Sequence, residues 1–291
     1  ICKGDSVILS VSQPIGQALT VCNGNNLPSN LQTGLVGYWP FCGNANDESG
    51  NGYDGVVNGA VLSTDRFGLI NAAYSFDGID DNIEVQNYQD TLNALSISLW
   101  FNQTISGHLL DFGNETLGGS NTFANRFNIN DYGNIGNLMF SFDYTYGQIP
   151  PTNYSSLGWN HTAVTWDGST MNLYVNNLLI GTQTSSISEI RIFLSDIKTF
   201  GSRNQPLGSN QVNFGGIIDD IGIWNRALNA SEVKQLYLGN YSSSYSWSTG
   251  DTTSSISVAP DSTTTYYVTI SNGIHSCVDS VTVTVNNPKV Q

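Results

Sequence analysis

The chain has 291 residues, of which only 11% are charged, and its formal net charge is −14. Because phosphate binding needs clustered Lys and Arg, nine scattered basic residues argue against nucleic acid and against an anionic membrane surface as partners. No apolar stretch approaches the length of a membrane span, so no membrane insertion is expected. A polar surface made mostly of Asn, Ser, Thr and Gly favours strands and turns, and indicates an all-β protein.

Residues 1–11 read as one strand, in which Val7, Leu9 and Val11 alternate with more polar positions. The chain starts inside this strand, which predicts a piece of a longer exported protein. Residues 12–34, rich in Pro, Asn and Gly, read as a linker.

Residues 35–239 contain many short strands separated by turn signals such as Asn51-Gly52, Asp77-Gly78 and Asp167-Gly168. This spacing is typical of a β-sandwich or jelly roll. One helix is predicted near its end, where Asn229 and Glu232 fit a capping box and Gly239 fits the helix end.

Residues 240–291 are rich in Ser and Thr and alternate strictly, as in the strand at 280–285. They are too short for a complete Ig-like sandwich and lack a first strand, which residues 1–11 supply. We therefore expect a large domain at 35–239 to be inserted into a small Ig-like sandwich formed by residues 1–11 and 240–291.

Four cysteines, Cys2, Cys22, Cys42 and Cys277, indicate disulfides and an oxidising compartment. Four cysteines allow three pairings. In the insertion topology, Cys2–Cys277 would join the two halves of the small domain, and Cys22–Cys42 would tie the linker to the first strand of the insert.

Four segments carry a family resemblance: GLVGYWPF at 34–41, AYSFDGIDD at 73–81, WNHTAVTWDG at 159–168 and IDDIGIWNRAL at 218–228. In this order they resemble the laminin-G-like, concanavalin A-like lectin/glucanase domains of bacterial surface proteins, which implies a jelly-roll β-sandwich. The flanks resemble Ig-like or PKD-like repeats of Bacteroidetes surface proteins, through ICKGDS at 1–6, YSWSTG at 245–250 and TTYYV at 264–268. Both resemblances imply an extracellular or cell-surface location with neighbouring domains.

Hydrolases with a similar sandwich need paired carboxylates on one strand. No two of the five glutamates lie within thirty residues of each other, and no Gly-x-Ser-x-Gly elbow accompanies the three histidines. The chain is therefore not expected to be an enzyme.

Acidic and Asn-rich turns offer three candidate clusters of calcium ligands: Asn44 with Asp47, Asp77-Gly78 with Asp80 and Asp81, and Asp219 with Asp220. The resemblance implies a structural calcium ion. Transferred to this sequence, it makes Asp219 the side-chain ligand, with Asp220 beside it, and Gly78 a carbonyl ligand. Asp47 or Asp77 would add a carboxylate. The alternative is that these aspartates only form Asx turns.

Exposed aromatic rings beside polar groups are typical of sugar-binding faces. The candidates are Tyr144 and Tyr146, at the end of an alternating strand with Phe140 and Phe142, and two loop residues, Tyr132 and Tyr154. The alternative is that the alternating run is the core face of a strand.

The sequence thus predicts a non-catalytic recognition or adhesion module that binds a glycan or another cell-surface ligand. Three alternatives remain: a purely structural spacer, an accessory binding module of a polysaccharide-degrading enzyme and, least favoured, a hydrolase whose carboxylates come from distant aspartates.

Overall fold

The computed structural model describes residues 5–10, 25, 27–113, 123–124, 126–131, 136–142, 147–154, 158–203, 213–239, 244–271 and 276–286. The chain divides into two compact units: a small one from residues 1–20 and 239–291, and a large one from residues 21–238. The predicted all-β class is confirmed. Among the described residues, no helix is long and apolar enough to cross a membrane.

The strands are numbered in chain order. They are β1 (Val7–Ser10), β2 (Leu35–Trp39), β3 (Gly55–Asn58), β4 (Val61–Ser63), β5 (Ala73–Asp77), β6 (Asn82–Val85), β7 (Asp90–Leu92), β8 (Leu95–Ile105), β9 (His108–Gly113), β10 (Phe123–Ala124), β11 (Arg126–Asp131), β12 (Asn137–Phe142), β13 (Gly147–Asn153), β14 (Trp159–Trp166), β15 (Thr170–Val175), β16 (Leu178–Thr184), β17 (Glu189–Ile192), β18 (Ile197–Phe200), β19 (Gly215–Trp224), β20 (Ser244–Trp247), β21 (Ser255–Val258), β22 (Thr264–Ser271) and β23 (Ser276–Val283). The helices are α1 (Ser29–Gln32) and α2 (Ala230–Leu238).

Two large sheets form the jelly-roll sandwich of the large unit. One has eight strands in the order β16-β15-β14-β8-β19-β5-β4, with β2 also paired to β19, and the other has seven in the order β13-β12-β11-β9-β18-β6-β3. A small sheet of β10, β17 and β7 accompanies them. The hydrophobic core lies between the two large sheets, where Phe142 of β12 packs edge-on against Trp166 of β14 with ring centroids 5.1 Å apart.

The period of two along each strand sends alternate side chains into this core. In β8, Ile97, Leu99 and Phe101 are core residues, while Ser98 and Trp100 lie on the opposite face. That opposite face of the eight-stranded sheet carries a second apolar cluster, in which Trp224 packs with residues of both helices.

Helix α2 forms as the capping box predicts. Asn229 Oδ1 accepts hydrogen bonds from the backbone N–H groups of Ser231 and Glu232, at 2.9 and 3.1 Å, and Glu232 Oε2 accepts one from Asn229 N at 2.9 Å. Gly239 follows the helix with a φ of +73°, the left-handed conformation that ends helices.

The small unit contains β1 paired with β21 and a sheet of β20, β22 and β23. Its core contains Leu9 from one end of the chain and Trp247, Ile256 and Val268 from the other. Both chain ends thus contribute to one small core, whereas the Ig-like identity of this unit remains a prediction.

A polar row as candidate ligand-binding site

The seven-stranded sheet has an unusual second face. In β9, β11 and β12, Phe112, Phe127 and Phe140 point into the sandwich core. The residues between the core positions are polar yet equally buried, and because of the alternation they lie on the sheet face turned away from that core. These are Asp111, Arg126, Asn128 and Ser141.

Strand register aligns the polar side chains across the sheet. Six residues on six adjacent strands lie directly opposite one another, and we call them the polar row: Gln148, Ser141, Asn128, Asp111, Thr199 and Glu84. Neighbouring strands lie about 4.8 Å apart, so the row is about 24 Å long. Its middle four residues are buried, whereas Gln148 is exposed and Glu84 is half-buried.

A charge pair forms the centre of the row. Arg126 donates from Nε to Asp111 Oδ1 at 2.7 Å and from Nη2 to Asp111 Oδ2 at 2.5 Å. His108 lies nearby, with its Nδ1 3.9 Å from Asp111 Oδ2. Burial first, and then the positive charges of Arg126 and Arg203, hold the pKa of His108 well below its usual value, so its imidazole is neutral at neutral pH.

Beside this pair, some buried polar atoms have no hydrogen-bond partner among the described residues. Asn128 Oδ1 accepts from Ser141 Oγ at 3.2 Å and from Asn130 Nδ2 at 2.9 Å. This leaves Asn128 Nδ2, Asn130 Oδ1 and His108 Nδ1 without such a partner. An unsatisfied buried polar group costs about 1–3 kcal/mol, so a molecule that supplies the missing hydrogen bonds is stabilising here. A hydroxyl group both donates and accepts, and can satisfy either amide.

The row does not supply the carboxylate pair that glycoside hydrolysis requires. Asp111 and Glu84 lie two strands apart, which is about 10 Å, and both Asp111 oxygens are bound by Arg126. A proton donor and a nucleophile or base would need two available carboxyl groups at about 5–9.5 Å.

The polar row was not predicted from the sequence. A signal was present, because polar residues alternate with Phe127 and Ile129 at 126–130. That pattern reads as an ordinary half-exposed strand until the strand order places β18 between β9 and β6.

The predicted calcium ligands fall into three places. Asp77, Asp80 and Asp81 come together, with one carboxylate oxygen of each within 4.8 Å of the others, so this group can hold a metal ion. Asp77 Oδ1 also accepts from Ile79 N at 2.7 Å, as in an Asx turn. Gly78 lies in this loop with a φ of +79°, where a residue without a side chain is favoured.

Asp47 is the hydrogen-bond centre of a different loop. Its Oδ1 accepts from the backbone N–H groups of Tyr38 and Ser49, both at 2.9 Å, and its Oδ2 accepts from Ser49 Oγ at 2.8 Å and Tyr53 N at 3.0 Å. Both oxygens therefore hold the chain turn after β2, and the structure does not place Asp47 in the Asp77 group.

Asp219 and Asp220 both contact the guanidinium of Arg66. Arg66 donates to Asp219 Oδ2 and to Asp220 Oδ2, at 2.7 Å each, and its guanidinium stacks on Trp100 at 4.5 Å from the ring centroid. Burial first, and then repulsion from Asp220, raises the pKa of the Asp219 carboxyl well above its usual value. The structure thus does not bring these two residues into the Asp77 group.

Three of the predicted aromatic ligand contacts, Tyr132, Tyr144 and Tyr146, lie outside the described residues. Tyr154 is half-buried; its hydroxyl donates to Gln103 Oε1 at 2.8 Å and its ring packs edge-on against Phe101. Phe140 and Phe142 are buried core residues, as the alternative interpretation of the aromatic run held.

Cys2 and Cys22 lie outside the described residues, and Cys277 lies in β23. Cys42 is disulfide-bonded, with a partner outside the described contacts. Both pairings, Cys2–Cys277 and Cys22–Cys42, therefore remain predictions.

Comparison with protein families gives one match, which lies within the large unit. The family described as the concanavalin A-like lectin/glucanases superfamily (Laminin_G_3) matches residues 77–234, more than half of the chain. This range begins at the Asp77 group, includes all six residues of the polar row and ends within α2. No curated protein matches the chain.

Solved structures share the fold at low identity. Domain 4 of the GH43 extracellular arabinanase AbnA from Geobacillus stearothermophilus, in complex with arabinotriose, is 18% identical with a TM-score of 0.55, covering 70% of this chain and 98% of that domain. The binding domain of Paraclostridial Mosquitocidal Protein 1 is also 18% identical with a TM-score of 0.55, covering 83% of this chain and 64% of that one. The botulinum neurotoxin serotype G binding domain is 16% identical with a TM-score of 0.50, covering 69% and 53%. The match thus spans less than two thirds of each of these two binding domains.

Proposed function

The chain belongs to the concanavalin A-like lectin/glucanase superfamily, and from that premise we propose that its large unit is a non-catalytic extracellular recognition module that binds a glycan. The observation that carries the proposal is the polar row with the adjoining Asn130, because Asn128 Nδ2 and Asn130 Oδ1 are buried and lack hydrogen-bond partners among the described residues. Sugar hydroxyls supply both hydrogen-bond donors and acceptors. The two ends of the row, at Gln148 and Glu84, are accessible to solvent, so a sugar can approach the row there.

Two observations support binding over catalysis. The Asp111 carboxylate is held by Arg126 and is not available as an acid or a nucleophile. Two of the similar solved structures are binding domains, and a third is a domain of an arabinanase in complex with arabinotriose, although the superfamily name also includes glucanases. We therefore propose a glycan ligand and no hydrolysis of it.

We further propose a structural calcium ion at the Asp77, Asp80 and Asp81 group, and export of the protein to the cell surface within a longer chain. Three carboxylates converging in one loop supply the hard oxygen ligands that calcium prefers. Disulfide bonding of Cys42 fits an oxidising compartment.

An array of immobilised oligosaccharides that includes arabinotriose, probed in calcium, tests glycan binding. Wild-type protein should be retained on a subset of sugars, and Asn128→Ala should weaken this retention about tenfold, since hydrogen-bonding groups of the site are then lost. Asn172→Ala, on β15 of the opposite sheet, is the matched control and should bind normally. Retention of no sugar by the wild type would refute the proposal.

A structural spacer is the second candidate, and one observation favours it. The middle of the polar row is buried, as expected of a packed interior. A spacer would bind no sugar on the array, and Asn128→Ala would then change only its stability. An accessory module of a polysaccharide-degrading enzyme would bind the sugar and leave it intact.

A further inference from the structure

The chain passes between its two compact units twice, after residue 20 and after residue 238. Residues 27–34, near the start of the large unit, are here called the entry segment, and residues 224–238, at its end, the exit segment. The entry segment contains α1, a single helical turn that is too short to be stable in water by itself. Contacts with other parts of the large unit must therefore hold it in place.

The exit segment holds the entry segment through Arg226. The guanidinium donates from Nε to Thr33 O at 2.7 Å and from Nη2 to Asn30 O at 2.8 Å. It also donates from Nη1 and Nη2 to the two carboxylate oxygens of Glu232 in α2, at 2.9 and 2.7 Å. Hydrogen bonding by Arg226 lowers the pKa of Glu232, so the carboxylate is ionised at neutral pH. These four hydrogen bonds, here called the Arg226 clamp, join the backbone of one segment to the helix of the other.

Further contacts continue along the line where the two segments meet. Trp224 Nε1 donates to Leu31 O at 2.6 Å, although the two residues are 193 positions apart in sequence, and Asn30 Nδ2 donates to Gln235 Oε1 at 3.0 Å. The Leu31 side chain is fully buried, in the apolar cluster that also contains Trp224 and Val233. The large unit therefore begins and ends at one place, where its two segments are bonded to each other.

The small unit likewise joins stretches from both ends of the chain. Strand β1 pairs with β21 over four residues, starting with Val7 opposite Val258, and Leu9 of β1 shares a core with Trp247. While this unit is folded, these contacts hold together the stretches of chain that lead into and out of the large unit. Tension applied between the two ends of the chain is therefore borne by the small unit.

We propose that the large unit is an insertion shielded from tension: the small unit bears tension first, and the Arg226 clamp keeps the large unit folded after the small unit has opened. Tension reaches residues 21–238 only once β1 has separated from β21. It then acts on the entry and exit segments, which the clamp holds side by side. In a surface protein this arrangement preserves a folded recognition module on a stretched chain, whatever ligand the module binds.

Single-molecule pulling of the whole chain, through handles at residues 1 and 291, tests this order of unfolding. A reducing buffer ensures that disulfides bear no tension. Two steps are expected, the first releasing about 20–25 nm of chain from the small unit and the second about 70–75 nm from residues 21–238, at about 3.4 Å per residue. A first step of about 70–75 nm, or a single combined step, would overturn the inference.

Variants of Arg226 test the clamp at constant force. Arg226→Ala should shorten the lifetime of the folded large unit before the second step about tenfold, because the hydrogen bonds to the entry segment are lost, and should leave the first step unchanged. Arg226→Lys keeps the charge but cannot make the forked contacts, so it should shorten that lifetime as well. Arg191→Ala, which removes an arginine from β17, is the matched control and should change neither step.

A second pair of handles separates the clamp from overall stability. Handles at the exposed residues 51 and 167 apply the force to the large unit away from the two segments, so Arg226→Ala should then leave the lifetime unchanged. Equal shortening with both pairs of handles would overturn the clamp, since Arg226 would then only support the stability of the whole unit. An unchanged lifetime in both Arg226 variants, pulled from residues 1 and 291, would also overturn it. Neither result bears on the glycan array, so this inference and the proposed function fail separately.

Discussion

Arg126 and Asp111, on the adjacent strands β11 and β9, form a buried ion pair with two parallel hydrogen bonds on the outer face of the seven-stranded sheet. In such a pair, each charge offsets part of the free energy that the other loses when it leaves water. The pair also fixes the orientation of the Arg126 guanidinium, two residues from Asn128. It thus connects the stability of the sheet to the geometry of the proposed site.

Removal of one partner should be far more costly than removal of both. Asp111→Ala leaves the Arg126 charge buried without its carboxylate and should lower the free energy of unfolding by about 3–5 kcal/mol. The double variant Asp111→Leu/Arg126→Met should lose much less, because neither charge of the pair is then left buried without the other. Urea denaturation measures both.

The control is the half-buried pair of Glu189 and Arg191, which is in much better contact with water, so that Glu189→Ala should cost less than about 1 kcal/mol. Equal losses in the single and double variants at the Asp111 pair would show that packing, and not charge compensation, dominates there.

Calcium should stabilise the large unit through the Asp77, Asp80 and Asp81 group. With calcium at about 100 times its Kd, the melting temperature should exceed that in EDTA by about 5–10 °C. Asp80→Asn should abolish this difference, and Asp167→Asn, in the exposed turn before β15, should leave it unchanged. A calcium response that survives Asp80→Asn would place the ion elsewhere.

Sequence patterns predicted those features that depend on neighbours along the chain. The capping box of α2 involves residues three apart, and the Asp77 group lies within five residues, so both were visible without a fold. The alternation of Phe140 and Phe142 was consistent with a sugar-binding face and with the core face of a strand. Both side chains are buried in the core of the sandwich.

Features that depend on strand order were not predictable from the sequence. Arg66 contacts Asp219, 153 residues away, and nothing in the local sequence of either identifies the partner. Asp219 was predicted as a calcium ligand because of its resemblance to a family motif, yet its carboxylate faces a guanidinium. The polar row likewise exists only because six strands pair in one register.

The capping box should contribute measurably to the stability of the large unit. Asn229→Ala removes the acceptor for the N–H groups of Ser231 and Glu232 and should lower the free energy of unfolding by about 1 kcal/mol. Ser231→Ala, within the same exposed turn, should change it by less than about 0.5 kcal/mol. Equal effects of the two substitutions in urea denaturation would contradict a capping role for Asn229.

Peptide mapping without reduction should recover two disulfide-linked peptides, one joining Cys2 to Cys277 and one joining Cys22 to Cys42. The first is expected because β1 and β23 belong to the same small unit, built from both ends of the chain. The second is expected because Cys42 is disulfide-bonded and Cys22 lies in the preceding linker. A Cys2–Cys22 peptide would refute both pairings.

His161 should make the protein less stable at acidic pH. Its Nε2 lies 2.8 Å from Ser98 Oγ, and burial, with a smaller effect of Arg66, lowers the pKa of His161 from 6.5 to about 3. Below pH 6.5 the unfolded chain binds a proton at this residue and the folded chain does not, so falling pH favours unfolding; above pH 6.5 the residue has no such effect. Between pH 7.5 and pH 5, this proton uptake by the unfolded chain lowers the free energy of unfolding by about 2 kcal/mol.

The difference in unfolding free energy between these two pH values should therefore be about 2 kcal/mol smaller in His161→Gln than in the wild type. His108, whose pKa is also lowered, contributes equally to both proteins and cancels in the comparison. The same pH dependence in both proteins would show that His161 is protonated without cost in the folded state.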